Sequence, residues 1–137
     1  MSAPIVVFLA EDNNGDVLLV RRALRTHQLD GELLVAQHGG EVTSLLERIG
    51  NDIPAPDVLI LDLNLPRMDG PELFERVRAH PLCSQTPLIV VTSSDSPRDH
   101  EWTSAFNVAY YFRKPSSLDE FLTLGAVVKS ITSKPAA

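Results

Sequence analysis

Residues 58–70 read VLILDLNLPRMDG. Val58 to Leu61 is an unbroken apolar run that stops at Asp62. A run with no polar alternation suits a strand buried on both faces, the condition of a parallel sheet covered by helices. Pro66 to Gly70 then supplies turn residues, and Pro71 suits the first turn of a helix reaching about Ala79. The local order is therefore apolar strand, polar stop, turn, helix.

The same order recurs on both sides. Upstream, Ile5 to Ala10 is continuously apolar and stops at Glu11 and Asp12, and a helix follows from Gly15 to about Gln28. Leu33 to Ala36 is a weaker strand, Gly39–Gly40 follows it, and Val42, Leu45, Leu46 and Ile49 share one helical face. Gly50 to Pro56 reads as a loop. Downstream, Leu88 to Val91 is a buried strand ending at Thr92. Ser96, Pro97 and Asp99 read as an N-cap, a first-turn proline and a capping-box acid for a helix to about Phe106. Ala109 to Phe112 is the last strand, and Lys114-Pro115 ends it. A final helix spans Leu118 to Ile131 with Leu118, Phe121, Leu122, Gly125 and Val128 inward, before a frayed tail, SKPAA. Five strands alternating with five helices predict an α/β fold: an open, doubly wound parallel sheet with helices on both faces.

Composition narrows the function classes. A chain of 137 residues is one domain's worth, and 44% hydrophobic residues can fill one core. Twelve Lys and Arg against 18 Asp and Glu give a net charge of -6, with no basic stripe, which argues against nucleic acid as a partner. The single cysteine, Cys83, excludes an internal disulfide and suits a reducing, cytoplasmic setting. No apolar run approaches the roughly 20 residues that span a bilayer, and the N-terminus lacks the basic stretch of a signal peptide. Only 23 residues follow Lys114, so the expectation is one domain over 1–137 with no output domain.

Ligands of open α/β sheets bind at the carboxyl ends of the strands. That rule gathers Glu11, Asp12, Asp62, Thr92 and Lys114, each at the end of an apolar run. Three carboxylates brought together repel one another unless a cation intervenes, and Mg²⁺, which prefers oxygen ligands, fits. A carboxylate between such an ion and an ammonium group can accept a phosphoryl group, and a threonine hydroxyl can bond a phosphoryl oxygen. Any one of these residues would read as an ordinary surface polar group; five at matching positions do not.

The segments AEDNNGD (10–16), LILDLNLPRMDG (59–70), IVVTS (89–93) and YYFRKP (110–115) resemble the receiver domain of bacterial two-component response regulators. The resemblance runs from Ile5 to about Ile131, and the opening and the LDLNLP strand end are similar to the single-domain subgroup associated with phytochrome-type kinases. It implies a flavodoxin-like sheet in the order 2-1-3-4-5. It also implies that Asp62 is the phosphoacceptor and Asp12 a direct Mg²⁺ ligand, with Glu11 acting through water and Asn64 lending its backbone carbonyl. Thr92 matches the switch hydroxyl, with the Ser93 amide nearby, Lys114 the phosphoryl-pairing lysine, and Tyr111 an aromatic rotamer switch; the Lys114–Pro115 peptide is expected cis. Glu11 stands where Asp is commoner, and Tyr110 where a smaller residue is usual. The implied partners are a sensor histidine kinase, of phytochrome type by the subgroup, and a second copy in a homodimer through the fourth helix, fifth strand and fifth helix. The implied activity is phosphoacceptance, with self-catalysed phosphorylation and autodephosphorylation and no other turnover.

Two other functions fit the topology. A flavodoxin-like FMN carrier needs a phosphate-cradling first loop, whereas Glu11, Asp12 and Asp16 would repel phosphate. A haloacid-dehalogenase-like aspartyl-phosphate phosphatase needs an acid two positions after the nucleophile, where Asn64 stands. The four histidines lack ligand spacing. Trp102 is either packing or, with Phe106 and Tyr111, part of a contact face. Lastly, Val17 to Val20 are four successive apolar residues that cannot all face inward. Leu19, Val20, Ala23 and Leu24 form the core face, so Leu18 points outward beside Arg21, Arg22 and Arg25. The resemblance places it on the helix shown to the kinase, as an interface anchor.

Overall fold

The computed structural model describes residues 4–133. Residues 134–137 of the tail expected to fray lie outside it. The strands are β1 (Ile5–Ala10), β2 (Gly31–Ala36), β3 (Val58–Leu61), β4 (Leu88–Thr92) and β5 (Tyr110–Arg113). They form one parallel sheet in the order β2-β1-β3-β4-β5, in register through Leu9↔Val35, Leu9↔Ile60, Ile60↔Ile89 and Val90↔Tyr111. β3 and β4 are buried at every residue, whereas the edge strands β2 and β5 alternate, which accounts for the weaker pattern of β2.

The helices are α1 (Asn14–Thr26), α2 (Gly39–Arg48), α3 (Gly70–Ala79), α4 (Pro97–Ser104), α5 (Leu118–Leu122) and α6 (Leu124–Thr132). Alternate residues of each strand feed opposite faces. Phe8, Leu59, Leu61, Leu88 and Val90 pack with Val42, Leu73, Phe74 and Val77 of α2 and α3. Val7, Leu9, Ile60, Ile89 and Val91 pack with Val20, Ala23 and Leu24 of α1 and with Phe121, Leu124 and Val128 of α5 and α6. The first five helices start in the same way: Asn13, His38, Asp69, Ser96 and Ser117 accept a bond from the backbone N–H three residues on, where an acid stands each time. Among the described residues no helix is long and apolar enough to cross a membrane.

Three expectations need correction. α2 begins at Gly39, capped by His38, because the Gly39 N–H donates to Pro66 O at 2.9 Å and a β-carbon there would lie 2.7 Å from Arg67 O. The final helix is divided at Thr123, whose N–H donates to the Glu120 carbonyl three residues back at 3.1 Å; its hydroxyl also donates to that carbonyl, at 2.5 Å. Leu118 is exposed, the core contact of its turn being made by Phe121 against Phe112, with ring centroids 5.9 Å apart. Gly125 has a packing reason: a β-carbon would sit 2.2 Å from Ala23 O, so only glycine lets α6 lie this close to α1.

Cys83 is fully buried, and burial pushes its thiol up to about 11. Its reactive thiolate is therefore scarce at neutral pH. Native protein at pH 8 should leave Cys83 unmodified by a thiol-specific disulfide reagent over minutes, with one equivalent reacting once urea unfolds the chain. Rapid labelling without denaturant would contradict this burial.

Candidate functional site

All the polar residues that end the strands meet at one edge of the sheet. Asp62 follows β3, its N–H bound to Ala10 O at 3.0 Å, and Glu11 follows β1, its N–H bound to Ala36 O at 3.0 Å. Both acids are buried, at 5% and 2% exposure. Lys114 follows β5, anchored by its N–H to Thr92 O at 2.7 Å. Its ammonium reaches Glu11 Oε1 at 2.7 Å, Asp62 Oδ2 at 2.7 Å and Asp16 Oδ2 at 2.8 Å. Asp12 is exposed, yet ligand oxygens of Glu11, Asp12 and Asp62 lie within 4.8 Å of one another.

Electrostatics follow from this crowding. Burial of Glu11 pushes its carboxyl up to about 7, aided by the neighbouring Asp62 charge and opposed by Lys114. Burial works to lower the Lys114 ammonium's pKa, but the bonds to Asp16, Asp62 and Glu11 outweigh it and hold the value above the usual lysine range. The donor set is oxygen-only and rich in negative charge, which fits a hard divalent cation such as Mg²⁺. The second oxygen of Asp62, Oδ1, accepts the Asn64 N–H at 3.1 Å, fixing the start of the β3–α3 loop.

Thr92 is fully buried at the end of β4, on the same face as Val90, and its Oγ1 accepts the Ser94 N–H at 3.3 Å. Tyr111 packs on this face too, donating its hydroxyl to Ser94 O at 2.9 Å and stacking on His100 at 3.8 Å. Ser94 thus bonds both residues expected to switch, Thr92 through its N–H and Tyr111 through its carbonyl. Its own hydroxyl bonds Asp99 Oδ2 at 2.5 Å, and Asp99 Oδ1 accepts the Trp102 indole N–H at 2.9 Å. These two bonds hold the Asp99 carboxyl below the usual range. The backbone half of the expected cap forms, Asp99 N–H to Ser96 Oγ at 3.1 Å, while the carboxylate turns to Ser94 and Trp102. Trp102 itself packs edge-on against Phe74 with centroids 5.0 Å apart. The described chain has only trans peptide bonds, so Lys114–Pro115, expected cis, is trans.

The structure brings Glu11, Asp12, Asp62 and Lys114 to one place, and Thr92 joins them through its carbonyl, which accepts the Lys114 N–H. The strand-end rule missed Asp16, Ser94 and Asp99. Asp16 and Asp99 each fill the third helical position, where an acid reads as a capping residue. For Asp16 a signal existed, since it ends the acid-rich opening 10–16. Leu18 on α1 is 65% exposed, with Arg21, Arg22 and Arg25 also exposed.

Residues 7–124 match the response regulator receiver domain family. The chain is 30% identical over 129 residues to response regulator Rcp1 from Synechocystis sp., covering 93% of this chain and 88% of Rcp1. Among solved structures, the phosphorylated cyanobacterial phytochrome response regulator RcpA superposes with a TM-score of 0.82 at 27% identity, covering 93% of each chain. The Mn²⁺-bound form of Rcp1 superposes with a TM-score of 0.80 at 29% identity, again covering 93% of each.

Lys114 is the cation that compensates the buried acids, so its removal should be costly. Lys114→Met should lower unfolding free energy by about 2 kcal/mol at pH 7.5 and low salt, since it leaves buried carboxylates unpaired. Urea titration measures this, and an unchanged midpoint would mean that the acids do not depend on the lysine.

Proposed function

The chain belongs to the response regulator receiver domain family of two-component signalling, and we propose that Asp62 is its phosphoacceptor. The observation that carries this reading is the setting of one buried carboxylate: Lys114 on one oxygen at 2.7 Å, and ligand oxygens of Glu11 and Asp12 within 4.8 Å, close enough to share a cation. The donor is a phosphohistidine of a sensor histidine kinase. An Asp62 oxygen forms a bond to phosphorus, the phosphorus–nitrogen bond breaks, and its electron pair leaves on the imidazole, which takes a proton from solvent. Lys114 orients the acceptor oxygen and then pairs with a phosphoryl oxygen. Hydrolysis of the acyl phosphate returns Asp62, so the domain is a signalling acceptor and turns over no other substrate.

Mg²⁺ is the proposed cofactor, held by Asp12, Asp62, the Asn64 backbone carbonyl and, through water, Glu11. It supplies charge neutralisation for the phosphoryl oxygens. The oxygen-only acid set supports this, as does the Mn²⁺-bound form of the related Rcp1. The same crowding of Glu11, Asp12 and Asp16 speaks against an FMN phosphate in the first loop, and the family match leaves neither the flavin nor the phosphatase reading any support.

Thr92 and Tyr111 are the proposed switch. A phosphoryl group drawing on the Thr92 hydroxyl would disturb the Ser94 turn on which the Tyr111 hydroxyl rests, biasing Tyr111 toward the interior. The readout surface is the β5 edge with α4, α5 and α6, where Tyr110 is exposed and a homodimer can form. For the kinase, Leu18 is the anchor and the three arginines steer. A phytochrome-type kinase is favoured by the likeness to RcpA, a phytochrome response regulator.

With Mg²⁺ and acetyl phosphate the protein should acquire one hydroxylamine-labile phosphoryl group by mass spectrometry, and Asp62→Asn should acquire none. Equal modification of the variant would remove Asp62 from the role.

Leu18→Ala should slow phosphotransfer from a cognate kinase several-fold while leaving acetyl-phosphate labelling and thermal stability unchanged. A fall in melting temperature of several degrees would show instead that Leu18 packs in the core.

A further inference from the structure

The Lys114 ammonium donates to Asp62 Oδ2 and to Asp16 Oδ2 and is ion-paired with Glu11 Oε1 at 2.7 Å. A phosphoryl oxygen that approaches this ammonium therefore competes with the acids around it. Glu11 and Asp62 share the cation pocket with Asp12, so a divalent ion offsets their charge. Asp16 stands outside that group, on the first turn of α1, held by its N–H to Asn13 Oδ1 at 2.9 Å. Its carboxylate is a quarter exposed and Lys114 is its charged partner, across 98 residues of sequence.

Resting on the assignment of Asp62 as acceptor, we propose that Asp16 is a positioning residue that competes with the phosphoryl group for Lys114 and so weakens the domain's hold on that group. The two Lys114 bonds, 2.8 and 2.7 Å long, keep Asp16 Oδ2 within about 5.5 Å of Asp62 Oδ2. Phosphorylation replaces the Asp62 carboxylate by a group bearing roughly one more negative charge. At an effective dielectric near 20, a fixed unit charge at that distance changes anion binding by about two powers of ten. Salt screening and the flexible lysine stem, which lets the ammonium follow the stronger anion, reduce this to roughly three- to tenfold. The sign is fixed by charge: Asp16 opposes the added anion, and its neutralisation favours it. Asp16 also leaves the ground state pre-assembled, since it parks the ammonium within reach of Asp62 before any phosphoryl group arrives.

The test uses beryllofluoride, a non-covalent phosphoryl mimic, titrated into the full chain at saturating Mg²⁺ and low ionic strength, with calorimetry or Trp102 fluorescence as the readout. Asp16→Asn should bind the mimic about three- to tenfold tighter than the natural protein, and the gain should shrink in about 0.5 M salt. Asp16→Glu, which keeps the charge and can still reach Lys114, should stay near the natural affinity. Asp16→Ser should follow Asp16→Asn, which separates charge from side-chain shape and guards against a variant that folds poorly. Mg²⁺ titrated alone checks that the gain is not in the metal step, where loss of an acid can only weaken binding. Equal or weaker binding of the mimic by Asp16→Asn and Asp16→Ser overturns the proposal, as does a gain in Asp16→Glu equal to theirs. Failure of the natural protein to bind the mimic would sink the acceptor assignment and this inference with it. Binding that Asp62→Asn abolishes and Asp16→Asn leaves unchanged would sink this inference alone.

Discussion

One ammonium group holds the working edge of this sheet together. Lys114 comes from the end of β5, yet its bonds reach the end of β1 through Glu11, the end of β3 through Asp62 and the start of α1 through Asp16. Its backbone N–H adds the end of β4 through Thr92 O. Four of the five strands therefore terminate on one residue. Burying charges of both signs gains little net stability, because desolvation offsets much of the attraction. What such a cluster fixes is geometry: each acid oxygen is placed by a bond to the same nitrogen. The apolar cores beneath need no such device, since β3 and β4 are closed on both faces by side chains of the helices.

A second network starts one strand over and points the other way. From the Thr92 hydroxyl it passes to the Ser94 N–H, then through the Ser94 hydroxyl to Asp99 and through Asp99 to the Trp102 indole. The Tyr111 hydroxyl joins at the Ser94 carbonyl. The Lys114 cluster and this network touch at Thr92, whose carbonyl serves the first and whose hydroxyl serves the second. On the proposed mechanism, a demand on that hydroxyl from the Asp62 side would be passed to the turn before α4. Trp102 holds the far end by its packing on Phe74, and the Tyr111 ring is held by its bond to Ser94 O and by stacking on His100.

The parts of this arrangement legible in the sequence are those governed by apolar runs. VLIL at 58–61 and LIVV at 88–91 read as buried strands, and the polar residue ending each run had to lie at the same end of the sheet, because parallel strands present like ends. The five strand-end residues followed directly. Strand order did not follow from any run and came with the family resemblance. Residues with two readings were hidden. Asp16 and Asp99 both sit where helices favour an acid for the sake of exposed N–H groups, so their longer-range bonds left no separate trace in the pattern. Gly39 and Gly125 read as a loop and as a weak helical position because what demands them is backbone from a distant segment, Arg67 and Ala23. The break at Thr123 is a shift of its N–H to the Glu120 carbonyl three residues back, a local change that helical periodicity does not register.

The placement of these networks explains why β5 is the strand on which the site acts. β5 is an edge strand, bonded to β4 on one side only, and it is the least buried of the strands beside the acids. It carries Lys114 immediately after its end and Tyr111 three residues earlier, so the lysine paired with Asp62 and the tyrosine of the proposed switch are borne by the same short segment. A central strand could not serve, because β3 and β4 are locked on both sides by hydrogen bonds and on both faces by packing. An edge strand can shift a side chain outward or inward at the cost of few contacts, and its free edge is where another backbone or protein surface can register the change. The acids thus follow strands in the interior of the sheet order, β1 and β3, while Tyr111 and Lys114 come from the edge strand β5, with β4 lying between β3 and β5.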